Sequence, residues 1–167
     1  MRILVAEDER ITLRTLQKQL EGWDHSVVAA QDGAEAWEQF QQQPFDIVVT
    51  DWDMPRMDGR ELIRCIRGSD ASSYTYLIML TGRSEKADLV AGMEAGADDF
   101  LAKPCDRSEL RVRLNAGERI IELEQELAAR NRVTFLALVH ALMAGSGAPE
   151  TVFNPGHTGD QVFFPRP

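Results

Sequence analysis

Glu7-Asp8, Asp51, Thr81 and Lys103 are the residues of this 167-residue chain whose types and positions could do chemistry together. Each stands at or shortly after the end of a short apolar run: Glu7-Asp8 after Ile3-Leu4-Val5-Ala6, Asp51 after Ile47-Val48-Val49, Thr81 after Leu77-Ile78-Met79-Leu80, and Lys103 after Phe100-Leu101-Ala102. If those runs are neighbouring strands, four separate stretches converge on one edge of a sheet. Three carboxylates gathered there repel one another and resist ionisation unless a cation compensates them. An oxygen-only set of this kind suits Mg²⁺, which binds through one or two carboxylates plus waters and takes phosphate oxygens as further ligands. The expected chemistry is the handling of a phosphoryl group.

Positioning these residues requires a scaffold, and its elements are visible in the hydrophobic pattern. A fifth run, Val27-Val28-Ala29-Ala30, joins the four above. Continuous rather than alternating apolar runs fit strands covered on both faces, as in a parallel sheet. Between them helical spacing occurs at Leu13/Leu16/Leu20, Ala36/Trp37/Phe40, Leu62/Ile63/Ile66 and Leu89/Val90/Met93. Gly22 ends the first such stretch, Asp32-Gly33 and Asp58-Gly59 open the second and third, Ser84 can cap the fourth, and Asp106 with Glu109 resembles a capping box for a fifth. The pattern predicts an α/β (βα)5 chain. Right-handed crossovers then give a three-layer, doubly wound parallel sheet with its ligand site beyond the carboxyl ends of the strands.

Charge narrows the function further. Residues 1–104 carry 19 acids against 11 bases, whereas residues 105–144 carry six of each. An acidic domain repels phosphate backbones, so no nucleic-acid partner is expected. Cys65 and Cys105 are isolated, without zinc-ligand spacing, and are expected to be reduced thiols. MRILVAEDER lacks the apolar core of a secretory signal, and no run reaches the roughly 20 residues of a membrane span. A cytoplasmic protein is expected.

From Asp106 to about Met143 there is no Pro and one Gly, Gly117, so the last helix is predicted to run well past the domain. Ala116, Ile120, Leu123 and Leu127 are spaced 4, 3 and 4, a two-heptad coiled-coil seam that stops where Arg130 and Thr134 take the next positions. The division expected is a domain over 1–118, a helical extension over 119–143 and a Gly/Pro-containing tail over 144–167. The apolar patch from Phe135 to Met143 is too short to span a bilayer and reads as an interface or a membrane-surface helix.

Four motifs in fixed order, LVAEDE at 4–9, VVTDWDMPRMDG at 48–59, LTG at 80–82 and ADDFLAKP at 97–104, resemble the receiver domain of two-component response regulators over residues 1 to about 118. The resemblance implies a flavodoxin-like sheet of order 2-1-3-4-5. It implies that Asp51 accepts a phosphoryl group from a sensor histidine kinase or phosphotransfer protein. Asp8, Asp51 and the backbone carbonyl of Asp53 would hold Mg²⁺, with Glu7 acting mostly through water, while Lys103 and Thr81 would donate to phosphoryl oxygens. It further implies a cis Lys103-Pro104 bond, a switching aromatic at Phe100, and tuning of dephosphorylation at Asp53 and Arg83. On this basis the chain is a phosphoacceptor switch rather than a turnover enzyme, and the seam points to a homodimer.

Other readings compete at particular residues. Asp98-Asp99 could be further metal ligands, but at the amino end of a strand a solvated turn is expected. Gly59 is expected to serve a tight backbone and Trp52 to pack. Asp51-Trp52-Asp53 also resembles the DxD of haloacid-dehalogenase-type phosphatases, although that motif follows the first strand in that family and leaves Glu7-Asp8 unexplained. A phosphate-independent interaction module has no need for a lysine facing buried carboxylates. No helix-turn-helix or cyclase motif follows the domain, so the output is unspecified: a dimeric adaptor or a shortened form of a longer regulator.

Overall fold

The computed structural model describes residues 1–69, 73–82 and 86–145. Within them β1 (Arg2–Ala6), β2 (Ser26–Ala30), β3 (Ile47–Asp51), β4 (Tyr76–Thr81) and β5 (Asp99–Ala102) form one parallel sheet of order β2-β1-β3-β4-β5. The helices α1 (Arg10–Glu21), α2 (Gly33–Gln42), α3 (Gly59–Arg67), α4 (Lys86–Ala95) and α5 (Arg107–Gly145) alternate with the strands. This is the doubly wound, flavodoxin-like fold expected from the sequence, with the long last helix. The chain divides into a compact unit Met1–Ala129 and a second unit that starts at Arg130.

Each central strand carries an unbroken apolar run, polar only at its ends, because it feeds two cores. Ile3 and Val5, Ile47 and Val49, and Ile78 and Leu80 face Leu13, Leu16 and Leu20 of α1 and Leu110, Leu114 and Ile121 of α5. The alternate residues Leu4, Ala6, Val48, Leu77 and Met79 face Ala36 and Phe40 of α2, Leu62, Ile63 and Ile66 of α3, and Ala95 of α4. Full burial of one such Leu or Ile side chain contributes roughly 2 kcal/mol. The period-two alternation fixes strand register, because a one-residue slip would exchange the two layers' contacts.

Local signals set where the helices start. Asp32 caps α2 by accepting from the Glu35 amide. Asp58 and Glu61 form a reciprocal capping box at α3. Asp106 accepts from the Ser108 and Glu109 amides at the start of α5. Gly59 begins α3 against the end of β3: a Cβ there would lie 2.0 Å from the Asp51 carbonyl oxygen, so only glycine lets helix and strand meet. Ser84, Arg83 and residues 146–167 of the expected tail lie outside the described residues.

One expectation is corrected. Asp98 is no solvated turn residue: its carboxylate accepts from the Leu77 amide at 2.7 Å, from Arg67 at 2.5 Å and from the Tyr74 hydroxyl. Arg67 also donates to the carbonyls of Gly96 and Thr75. Asp99 similarly holds Arg113 of α5. The pair ties α3, α5 and the amino ends of β4 and β5 together, and burial with the Asp98 charge raises the Tyr74 hydroxyl well above an ordinary phenol.

Asp98→Ala leaves Arg67 and the Leu77 amide without their acceptor. It is expected to lower unfolding free energy by about 2 kcal/mol in urea denaturation, against a change within roughly 0.5 kcal/mol for a solvated turn residue.

Candidate functional site

The carboxyl ends of the strands lie level, with Ala6 paired to Thr50, Asp51 to Leu80, and Thr81 to Ala102. Glu7, Asp51 and Lys103 continue the pleat on the side that carries Val5, Val49 and Leu101, which packs against α1 and α5. Their side chains therefore emerge together. Lys103 Nζ stands 2.7 Å from Glu7 Oε2 and 2.8 Å from Asp51 Oδ2, and it bridges both carboxylates. Carboxylate oxygens of Glu7, Asp8 and Asp51 all lie within 4.8 Å of one another. Glu7 is fully buried, Asp51 nearly so, and Asp8 opens to solvent.

Backbone groups complete the arrangement. Asp51 Oδ1 accepts from the Trp52 amide at 2.7 Å, and Glu7 Oε1 accepts from the Glu9 amide at 3.2 Å. The Trp52 amide also reaches the Leu80 carbonyl, and the Gly59 amide donates to the Trp52 carbonyl, which holds the turn after Asp51 between β4 and α3. The Lys103 amide donates to the Thr81 carbonyl at 2.9 Å, so the lysine and the buried threonine are placed by one backbone bond. The Lys103-Pro104 peptide is cis, as the resemblance implied.

The electrostatics follow from burial. Desolvation raises the Glu7 and Asp51 carboxyls above the ordinary carboxylate range, and neighbouring acids add to this, Asp51 for Glu7 and Asp8 for Asp51; Lys103 opposes it in both. For Lys103, burial works against the ammonium, but Asp51 and Glu7 together outweigh it and hold its proton more tightly than usual. Two desolvated carboxylates share one ammonium, with a third acid at the mouth. The donor set is entirely oxygen, one-sided and solvent-open at Asp8, so it fits a hard divalent cation with waters.

Each residue expected at the site has a definite place. Asp8, Asp51, Glu7 and Lys103 come together; Thr81 ends the neighbouring strand; Asp53 is exposed two residues beyond β3, outside the three-carboxylate cluster. Trp52 is buried, with the Arg60 guanidinium 5.2 Å from its ring centre. Sequence reasoning missed Gly92. A Cβ there would meet the Phe100 ring at 2.6 Å and Trp52 at 2.9 Å, so glycine is what lets α4 lie on those two aromatics beside the site. A glycine inside a helical pattern is the one available signal of such an approach. The Arg56 side chain is paired to Asp32, pinning the turn after β3 to the start of α2.

Comparison with known proteins agrees with this geometry. A family model described as the response regulator receiver domain matches residues 3–115. Response regulator MprA of Mycobacterium ulcerans (strain Agy99) is 39% identical over 131 residues, covering 77% of this chain and 55% of that protein. The chain thus spans about half the length of the curated relatives it matches. The Francisella response regulator 1452 receiver domain superposes with a TM-score of 0.66 at 29% identity, over 71% of this chain and 96% of that one. The receiver domain of a sensor histidine kinase from Pseudomonas aeruginosa PAO1, solved with a magnesium ion coordinated in its active site cleft, superposes with a TM-score of 0.64 at 29% identity, over 69% of this chain and 94% of that one.

An acid whose folded pKa is raised favours the folded state when protonated, and loses that contribution as pH climbs from its unfolded to its folded value. Asp51→Asn removes that loss. In metal-free buffer the variant is expected to melt at a higher temperature than the parent at neutral pH, with the gap closing toward acid pH, as measured by calorimetry.

Proposed function

Because this chain belongs to the response regulator receiver domain family, we propose that it accepts a phosphoryl group on Asp51 and uses the modified domain to switch a dimerisation or partner-binding surface. The observation that carries this reading is Lys103 Nζ held at 2.7 and 2.8 Å from two buried carboxylates, with Asp8 as a third acid at the solvent side. A receiver domain implies a phosphodonor partner, a histidine kinase or a phosphotransfer protein. No helix among the described residues is long and apolar enough to cross a membrane.

Asp51 is the nucleophile. Its oxygen attacks phosphorus in line with the departing imidazole of a phosphohistidine, the phosphorus–nitrogen bond breaks, and an acyl phosphate remains. Asp8, Asp51 and the Asp53 carbonyl would hold a magnesium ion, with Glu7 acting through water, and the ion would neutralise phosphoryl charge. Lys103, drawn toward the transferred group, exchanges a carboxylate partner for a phosphoryl oxygen, a charge-assisted bond of the strong kind. Thr81 donates its hydroxyl to a second oxygen. Positioning and fixed charge suffice because phosphoryl transfer asks little covalent help of the protein. Asp53 and Arg83 are assigned to the lifetime of the phosphate.

The signal leaves through packing. Thr81 and Phe100 flank the site on β4 and β5, and Phe100 lies against Gly92 of α4. A phosphoryl group that draws Thr81 inward favours whichever arrangement of α4, β5 and α5 accommodates it, a population shift between two packings. Residues 1–118 act as the receiver and 119–143 as a helical extension through which two copies associate. The DxD phosphatase reading is not favoured: Asp51-Trp52-Asp53 follows the third strand, and Glu7-Asp8 would have no role in it.

Mass spectrometry of the full chain after incubation with acetyl phosphate and Mg²⁺ is expected to find one added phosphoryl group, none in Asp51→Asn or in EDTA, and labelling slowed by about 100-fold or more in Lys103→Met. Equal labelling with and without the metal would overturn the proposal. Trp52, next to the acceptor, is expected to report Mg²⁺ by a saturable change in fluorescence that Asp8→Asn weakens at least tenfold in affinity.

A further inference from the structure

The described part of α5 within Met1–Ala129 carries two separate apolar stripes. One is buried in its own domain: Leu110, Leu114 and Ile121 join the core, and Gly117 lies between them so close to Tyr76 that a Cβ would meet the ring at 2.6 Å. The second is Ala116, Ile120, Leu123 and Leu127. At 3.6 residues per turn it lies roughly 120° around the helix from the first, so burying one leaves the other outward. Ile120 is 37%, Leu123 65% and Leu127 54% exposed, whereas Ile121 is 5% exposed. The same helix thus docks on its sheet and presents a heptad seam away from it.

The flanks of that seam carry a specific charge pattern. With Ile120 and Leu127 at the a positions and Ala116 and Leu123 at the d positions, Arg119 occupies g and Glu124 occupies the following e. Both are exposed. In a parallel, in-register pair of identical helices, g of one copy faces the next e of the other, so Arg119 of each copy meets Glu124 of its mate, twice by symmetry. The next such pair, Glu126 with Asn131, carries no repulsion. Glu118 and Glu122 fall at outer positions where their like charges do not face the partner. The ends are also marked. Arg113, at the preceding a position, is held by Asp99 and Glu109 of its own domain, and Arg130 takes the d position after Leu127.

We infer that the occupant of this stripe is a second copy of the chain, bound as a parallel, in-register two-stranded coiled coil over residues 116–127 and oriented by reciprocal Arg119–Glu124 ion pairs. This rests on the reading of the α5 extension as a self-association element and gives it a face, a direction and a register. An antiparallel pairing would set g against g and e against e, so Arg119 would face Glu126 and Glu124 would have no arginine partner; Glu124 is therefore the residue that separates the two directions.

The test is sedimentation of the full chain across the micromolar range, with acetyl phosphate labelling of Asp51 read on the same samples. The parent chain is expected to dimerise. Glu124→Arg and Arg119→Glu, which place like charges opposite each other, are each expected to weaken the dimer by about tenfold, and the double variant, which restores opposite charges, to recover it. Leu123→Arg, at a position already open to solvent, is expected to give a folded monomer that still labels. A parent chain that stays monomeric, a dimer indifferent to Glu124→Arg, or a dimer that survives Leu123→Arg would overturn the proposal. A labelled monomer would overturn the pairing alone. An unlabelled dimer that follows the charge pattern would support it while removing the phosphoacceptor reading.

Discussion

The fold is organised around one ammonium group shared by two buried carboxylates, Glu7 and Asp51. A carboxylate as buried as Glu7 is tolerable only with a countercharge at contact distance, because an isolated ion in a low-dielectric interior is heavily penalised. That countercharge comes from the far side of the sheet. Lys103 follows β5, while Glu7 follows β1, and β3 and β4 lie between them. A long flexible stem ending in a compact charge can cross that distance and touch both acids, which the planar fork of arginine would do less readily. Level strand ends follow from this need: a sheet with its carboxyl edges staggered could not bring all three groups within reach.

Much of this was legible because the strands are buried on both faces. Runs such as Ile3-Leu4-Val5-Ala6 and Leu77-Ile78-Met79-Leu80 carry no polar residue, so their ends, where acids and the lysine begin, are sharp in the sequence. Helix starts were legible for a related reason, since Asp32, Asp58 and Asp106 satisfy amides within three residues of themselves. Asp98 was misread because its partners Arg67 and Tyr74 are 31 and 24 residues away, and local spacing says nothing of them. Gly92 was missed for a comparable reason: what it admits, the Phe100 ring, belongs to another element.

Glycines mark where this fold brings elements closer than side chains would permit. Gly59 seats α3 on the carbonyl of Asp51, Gly92 seats α4 on Phe100 and Trp52, and Gly117 seats α5 on Tyr76. The first two of these contacts lie beside Asp51. Trp52 belongs to both, since its carbonyl receives the Gly59 amide and its ring lies under Gly92. Close-packed contacts of this kind have little compliance, and a change at the end of β3 is met by repacking of whole elements rather than by local give.

The last helix shows why length alone is a weak guide to purpose. Isolated helices of a dozen or so residues are marginal in water, and the like charges Glu118, Glu122 and Glu126 at four-residue spacing do not help this one. What sustains α5 up to Ile121 is its buried stripe against β4 and its neighbours. Beyond Ile121 that support ends while the helix continues, and Leu123 and Leu127 extend the other stripe into solvent. Local propensity and local charge do not account for that continuation, and the self-association proposed above would supply the support that the sheet no longer gives.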